Sequence, residues 1–322
     1  MPIEHLGIVV IDASAPPDLE PAALASLERL PSAELVQARG AKLAAATDWW
    51  EAVCGLADIR APDLAVAEVA WLGATATRKP ALWLATPVQL TAAMDYVRLD
   101  AVAAPGSGVL AALAQAFNRE FADSGYALHV APTGHAFLET PRRLEAASVD
   151  PGRIVGRDVA GSLPKGPEAG ALRRLMTEIQ MWLHGEPGAA RPFNALWLWG
   201  GGGTWPEPAG GRLPLAASSE PLVRGLWALA GAPSAEPAAD FAEASGLPAR
   251  SVLATVSLEL WRSQGELQSL RRLEADWLAP AWRALEEGRL ASLTLYLNGA
   301  LTRISRAQRW RWWRARRHWA SA

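Results

Sequence analysis

The stretch FNALWLWGGGG, residues 193 to 203, decides how this chain is read. ALWLW (195 to 199) is unbroken apolar sequence, the pattern of a strand covered on both faces, and it runs directly into Gly200, Gly201, Gly202 and Gly203. In open α/β sheets, ligands bind beyond the carboxyl ends of strands. Glycines there let backbone N–H groups face an anion without side-chain obstruction. They serve equally well as a turn: there is no GxxxxGK[ST] or GxGxxG motif, and Thr204-Trp205-Pro206 cannot open a regular helix without interruption. Both readings stand at this level. For a ligand site at the loop, Gln180, His184 and Asn194 are the nearest polar candidates, although Asn194 also suits a tie between the incoming loop and the backbone.

Upstream, Leu172, Leu175, Met176, Ile179 and Leu183 draw the buried side of a helix opening near Pro167 and Glu168 and closing at Gly185 and Pro187, with His184 in its last turn. Two other short apolar runs match ALWLW. HLGIVVI (5 to 11) is rich in β-branched residues, and ALWLATP (81 to 87) is bounded by prolines. We expect all three in one sheet. MDYVRLD (94 to 100) alternates, and YALHVAPTGHAFLET (126 to 140) is strand-like on either side of a Pro-Thr-Gly turn. Leu110, Leu113, Phe117 and Phe121 mark a helix over 108 to 124, and PAALASLERL (21 to 30) has helical spacing. SVLATVSLEL (251 to 260) reads as a strand, and 266 to 288 as a helix kinked at Pro280. Asn298-Gly299 between LTLYL and ALTRI spells a two-residue hairpin. The fold class is α/β, a mixed and mostly parallel sheet with helices on both faces, in one domain over 1 to 322 with room for a smaller lobe around 90 to 190.

Composition removes several functions. A net charge of −2 gives no global pull on nucleic acid, and one cysteine, Cys54, excludes an intrachain disulfide framework and a thiolate-rich metal site. The N-terminus lacks a basic signal-peptide region and no segment is long and apolar enough to span a membrane, so a cytoplasmic location is expected. Sixteen Trp against five Phe and three Tyr is unusual, and reads first as packing. The exception is the tail, 303 to 322, where seven arginines from Arg303 to Arg317 interleave with Trp310, Trp312, Trp313 and Trp319. The expectation is a basic terminal helix whose Trp side packs on the body. An acidic or membrane surface and a nucleic acid are the alternatives.

The segment GRDVAGSLPKGPEAGALRRLMTEIQMWLHGEPGAARPFNALWLWGGG, from Gly156, resembles the archaeal-type, cofactor-independent phosphoglycerate mutases. Together with the N-terminal strand, the ALWLATPVQLTAAMDYVRLD segment and the hairpin with its Arg/Trp tail, it also resembles bacterial regulatory proteins of RpfE type. The mutase resemblance implies an alkaline-phosphatase-like fold, a Ser or Thr nucleophile, and two divalent metals held by Asp and His. Asp12 stands where the first metal carboxylate would be. The other positions depart from the pattern: no nucleophile context follows, no DxxxH or GDH cluster is present, and Gly185-Glu186-Pro187 replaces the His-Pro-Val-Asn run. The histidines, His5, His129, His135, His184 and His318, form no ligand-like cluster, although His129 and His135 could share an ion with Asp123 or Glu139. The expectation is a non-catalytic or degenerate phosphatase-superfamily-like protein with a regulatory or ligand-sensing role, without cofactor or metal. Its partner would be another protein or a small phosphorylated ligand. A metal-dependent mutase or phosphotransferase is the alternative, and a module of other chemistry using Asn194, Gln180 and the glycine loop is a third class.

Overall fold

The structure, a computed structural model, describes residues 3–11, 28–43, 48–59, 64–185, 191–207, 212–258 and 267–321. Asp12, Glu186 and most of the helix expected over 21 to 30 lie outside the described residues. The chain divides into two compact units, Met1–Arg60 with Glu207–Ala322, and Ala61–Pro206. The strands are β1 His5–Ile11, β2 Ala41–Lys42, β3 Leu82–Ala92, β4 Val97–Val102, β5 Ala127–Val130, β6 Ala136–Glu139, β7 Ala195–Trp199, β8 Leu215–Ala217, β9 Ser234–Ala235, β10 Ser251–Ser257, β11 Ser292–Leu297 and β12 Ala300–Ser305. The helices are α1 Pro31–Arg39, α2 Trp49–Leu56, α3 Val66–Thr75, α4 Ser107–Glu120, α5 Ala169–Gly185, α6 Pro221–Leu229, α7 Phe241–Gly246, α8 Leu267–Arg272 and α9 Ala279–Glu287.

The first unit holds a seven-stranded sheet in the order β2-β12-β11-β1-β10-β8-β9. Strands β11, β1, β10, β8 and β9 pair in parallel, whereas β12 is antiparallel to both β11 and β2. This sheet is mixed and mostly parallel. Leu6, Ile8 and Val10 of β1 point into a core with Val36, Leu270, Leu273, Trp277 and Trp282. Alternation sends Val9 and Ile11 to the opposite face, and α2 packs against β1 as well. Between α8 and α9, Leu273–Leu278 is a π-helical turn in which the Ala279 N–H reaches the Glu274 carbonyl. Pro280 supplies no N–H and its ring crowds the carbonyl four residues back, and the wider turn accommodates both effects. Asn298 and Gly299, both at positive φ, join β11 to β12. That left-handed pair matches the twist of the flanking strands.

The second unit is antiparallel throughout its five-stranded sheet. Strand β7 pairs along one side of β3, while β6 and β4 share the other, because Leu84 faces both Phe137 and Trp199, and Val88 both Val102 and Ala195. Helices α4 and α5 cover one face through Leu110, Leu113, Phe117, Leu172, Leu175 and Ile179, packed on Trp83, Leu196 and Leu198. On the other face Trp71 of α3 meets Phe137 edge-on at 5.3 Å.

This arrangement corrects the expected common sheet. HLGIVVI lies in the first unit, whereas ALWLA and ALWLW pair with each other, antiparallel, in the second. An unbroken apolar run reports cover on both faces and carries no information on direction or partner. Among the described residues the expected basic terminal helix is also absent: once β12 ends at Ser305 the tail forms only short turns, Gln308–Trp310 and Trp319–Ser321. Arginines three apart, such as Arg311 and Arg314, or Arg314 and Arg317, would repel along a helix face, and no acidic residue in the tail offsets them.

Candidate functional site

All four glycines sit where the chain leaves β7, and the surrounding protein already fills the space beside three of them. A Cβ on Gly201 would lie 2.4 Å from the Trp83 ring and 2.8 Å from the Leu82 carbonyl oxygen. Gly202, at φ +78°, would meet the Ala146 oxygen at 2.5 Å, and Gly200, at φ +71°, would meet Val66 at 3.1 Å. The loop turns its oxygens toward α3: the Ala67 N–H donates to Gly200 O at 2.8 Å and the Ala65 N–H to Thr204 O at 2.9 Å. Carbonyls that cap a helix N-terminus satisfy the donors an anion would otherwise use.

The other expected site residues lie toward the far end of β7. Asn194 precedes the strand and clamps one residue of β3, accepting from the Leu90 N–H at 2.8 Å and donating to the Leu90 carbonyl at 2.7 Å. The clamp sits where the β3–β4 register shifts between Gln89 and Leu90. Six strand steps of about 3.3 Å separate Asn194 from Gly200 by roughly 20 Å. His184 is exposed in the last turn of α5. The structure therefore does not bring Gln180, His184, Asn194 and Gly200 to Gly203 into one cleft.

Gln180 instead lines a cavity of about 610 Å³ within the second unit. Helix α5 contributes Arg173, Met176, Thr177 and Gln180, at i, i+3, i+4 and i+7, which is one face of a helix. Strand β7 contributes Ala195, Leu196 and Trp197, and the β3–β4 hairpin contributes Leu90, Met94, Asp95, Tyr96 and Val97. Asp158, Val159 and Leu163 close a third side. Trp197 is held by its indole N–H to the Val149 carbonyl at 2.9 Å. Most of the wall is apolar, and its charged groups are Arg173 against Asp95 and Asp158. The sequence reading missed this site except for Gln180. In the sequence Met176 belongs to the buried side of α5, and the arginine, threonine and glutamine beside it look like a solvated face.

His129 and His135 turn to different partners. His129 Nε2 lies 2.8 Å from Glu139 Oε2, which also takes Lys79 Nζ at 2.9 Å, and His135 turns to Thr133 at 3.2 Å. Partial burial pushes the Glu139 carboxyl up, but the hydrogen bonds and charges of Lys79 and His129 outweigh it and hold the group below its ordinary range. Cys54, buried in α2 beside Glu51, is pushed up to about 12 by burial first and by that carboxylate second. It stays a thiol and is not poised as a nucleophile. Among the described residues no group of three or more His, Cys, Asp or Glu is placed to hold a metal ion. The described side chains thus do not fit the two-metal set implied by the mutase resemblance.

No family model matches the sequence, and no curated protein matches it. Among solved structures the chain is similar to a cofactor-independent phosphoglycerate mutase from Thermoplasma acidophilum DSM 1728, at 14% identity and TM-score 0.39, over 95% of this chain and 90% of that one. It is similar to the PH0037 protein from Pyrococcus horikoshii at 12% identity and TM-score 0.41, over 94% and 85% of the two chains. Likeness at this level assigns neither activity nor site residues.

Proposed function

We propose that this protein is a ligand-sensing protein whose second unit takes a small, mainly apolar molecule bearing one polar end. The observation that carries the reading is the α5–β7 cavity, whose lining is mainly apolar, with Leu90, Met176, Leu196 and Trp197, and whose α5 wall carries Arg173, Thr177 and Gln180. Pockets of this size and lining bury a small molecule through apolar area and orient it through a few polar groups. Arg173, Thr177 and Gln180 are the groups available for the polar end. A multiply charged phosphate is disfavoured, since Asp95 and Asp158 face a single arginine. The glycine loop belongs to the scaffold in this reading, and the regulatory role follows from ligand occupancy rather than phosphoryl transfer.

The test uses Nile red, an uncharged dye that brightens in apolar surroundings, and 3-phosphoglycerate. Wild type should bind Nile red saturably and give no heat with 3-phosphoglycerate at millimolar concentration. Thr177→Trp, at an exposed position on the cavity wall, should fill the space and weaken dye binding about tenfold or more while the protein stays folded. Equal dye affinity in wild type and Thr177→Trp, or tight 3-phosphoglycerate binding, would overturn the proposal.

A further inference from the structure

The tail presents its aromatic residues to solvent. Trp310, Trp312 and Trp313 are 65%, 75% and 66% exposed, while Trp319 is fully buried and donates its indole N–H to the Glu28 carbonyl at 2.9 Å. The chain between them is an arch pinned at both ends. Strand β12 holds its start, and the hairpin residue Asn298 donates to Ala320 O at 3.0 Å at its finish. Midway, Arg311 and Arg314 donate to the carbonyls of Arg39 and Gly40 at 3.4 and 3.3 Å, and Arg39 donates to Arg309 O at 2.6 Å. None of Arg306, Arg309, Arg311, Arg314, Arg316 and Arg317 forms an ion pair with a carboxylate among the described residues. Three exposed indoles among six cations that have no carboxylate partner among the described residues, on a chain of net charge −2, form a local surface of strongly positive and aromatic character.

We propose that this arch is a docking surface for an anionic lipid bilayer. Indoles settle at the headgroup level, where one end of the ring is apolar and the other wet, and arginines beside them neutralise acidic headgroups. The geometry favours a bilayer over a single-stranded nucleic acid, which needs open ring faces for its bases to stack on. The Arg309 guanidinium already lies 4.7 Å above the Trp310 ring, and Trp312 and Trp313 meet edge to face at 6.1 Å. Hydrogen bonds to Arg39, Gly40 and Asn298 tie the arch to the body of the first unit. The proposal concerns the first unit alone and does not depend on the cavity of the second.

The test is co-sedimentation of the full-length protein with vesicles of equal parts phosphatidylglycerol and phosphatidylcholine, with phosphatidylcholine vesicles and poly(U) in parallel. Binding to the acidic vesicles should exceed binding to both others and fall as salt is raised. Replacing the exposed pair, Trp312→Ala with Trp313→Ala, or the charge pair, Arg316→Gln with Arg317→Gln, should each lower the partition coefficient about tenfold or more. Both variants should keep the wild-type melting temperature, because they alter exposed side chains. Equal partitioning of wild type and variants, no preference for acidic vesicles, or tighter binding to poly(U) would overturn the proposal.

Discussion

Gly201 and Asn194 are close in sequence yet flank opposite ends of one strand, so their substitutions should have separable effects. Gly201→Ala drives a methyl group against Trp83 and the Leu82 carbonyl, a backbone atom that cannot turn aside, and should destabilise the protein by about 1–3 kcal/mol. Asn194→Ala leaves the N–H and carbonyl of Leu90 without their side-chain partner, at a cost of about 1–3 kcal/mol. Dye titration of the folded variants separates the two. Asn194→Ala should also weaken Nile red binding, since Leu90 lines the cavity, whereas Gly201→Ala should leave it unchanged. Reduced affinity in a folded Gly201→Ala protein would return the ligand to the glycine loop.

At the scale of elements, helix α5 sets the cavity wall and its entry is fixed by charge. Glu168, just before the helix, accepts from the Arg142 guanidinium and from the Glu145 N–H at 2.8 Å. Arg142 first, and the Glu145 amide second, lower its carboxyl from 4.5 to about 2. A depressed carboxyl stabilises the fold above its unfolded pKa and loses that contribution as pH falls toward the folded value. The melting-temperature gap between wild type and Glu168→Gln should therefore be full above about pH 4.5 and close toward pH 2. A gap that stays constant over that range would show that the ion pair contributes nothing through ionisation. This helix was legible in the sequence because its leucine stripe and its Pro-Glu entry agree. The cavity was not, because Arg173, Thr177 and Gln180 come to line one cavity only when the β3–β4 hairpin contributes its residues to the same space, a juxtaposition no local pattern encodes.

Across the whole molecule, the short apolar strands were recognisable one by one and their assembly was not. HLGIVVI and ALWLW share the same pattern, yet one is the centre of a parallel array and the other an antiparallel strand in a different unit. Pairing direction is set by which distant segments cover each face, and burial on both faces erases the alternation that would otherwise reveal it. The tail shows the reverse error: its tryptophans suggested packing, but only Trp319 is buried, and the arginines tie the arch down through backbone carbonyls. The second unit thus carries a mainly apolar cavity open to solvent, and the first an exposed cationic and aromatic arch. The central claim, that the cavity beside α5 and β7 is the ligand site, is tested most directly by photolabelling the full chain with a diazirine-bearing octanol and locating the adducts by mass spectrometry. Adducts should fall on Met94, Tyr96, Met176 and Trp197 and be suppressed by excess Nile red; adducts at the glycine loop or scattered over the surface, unaffected by the dye, would contradict it.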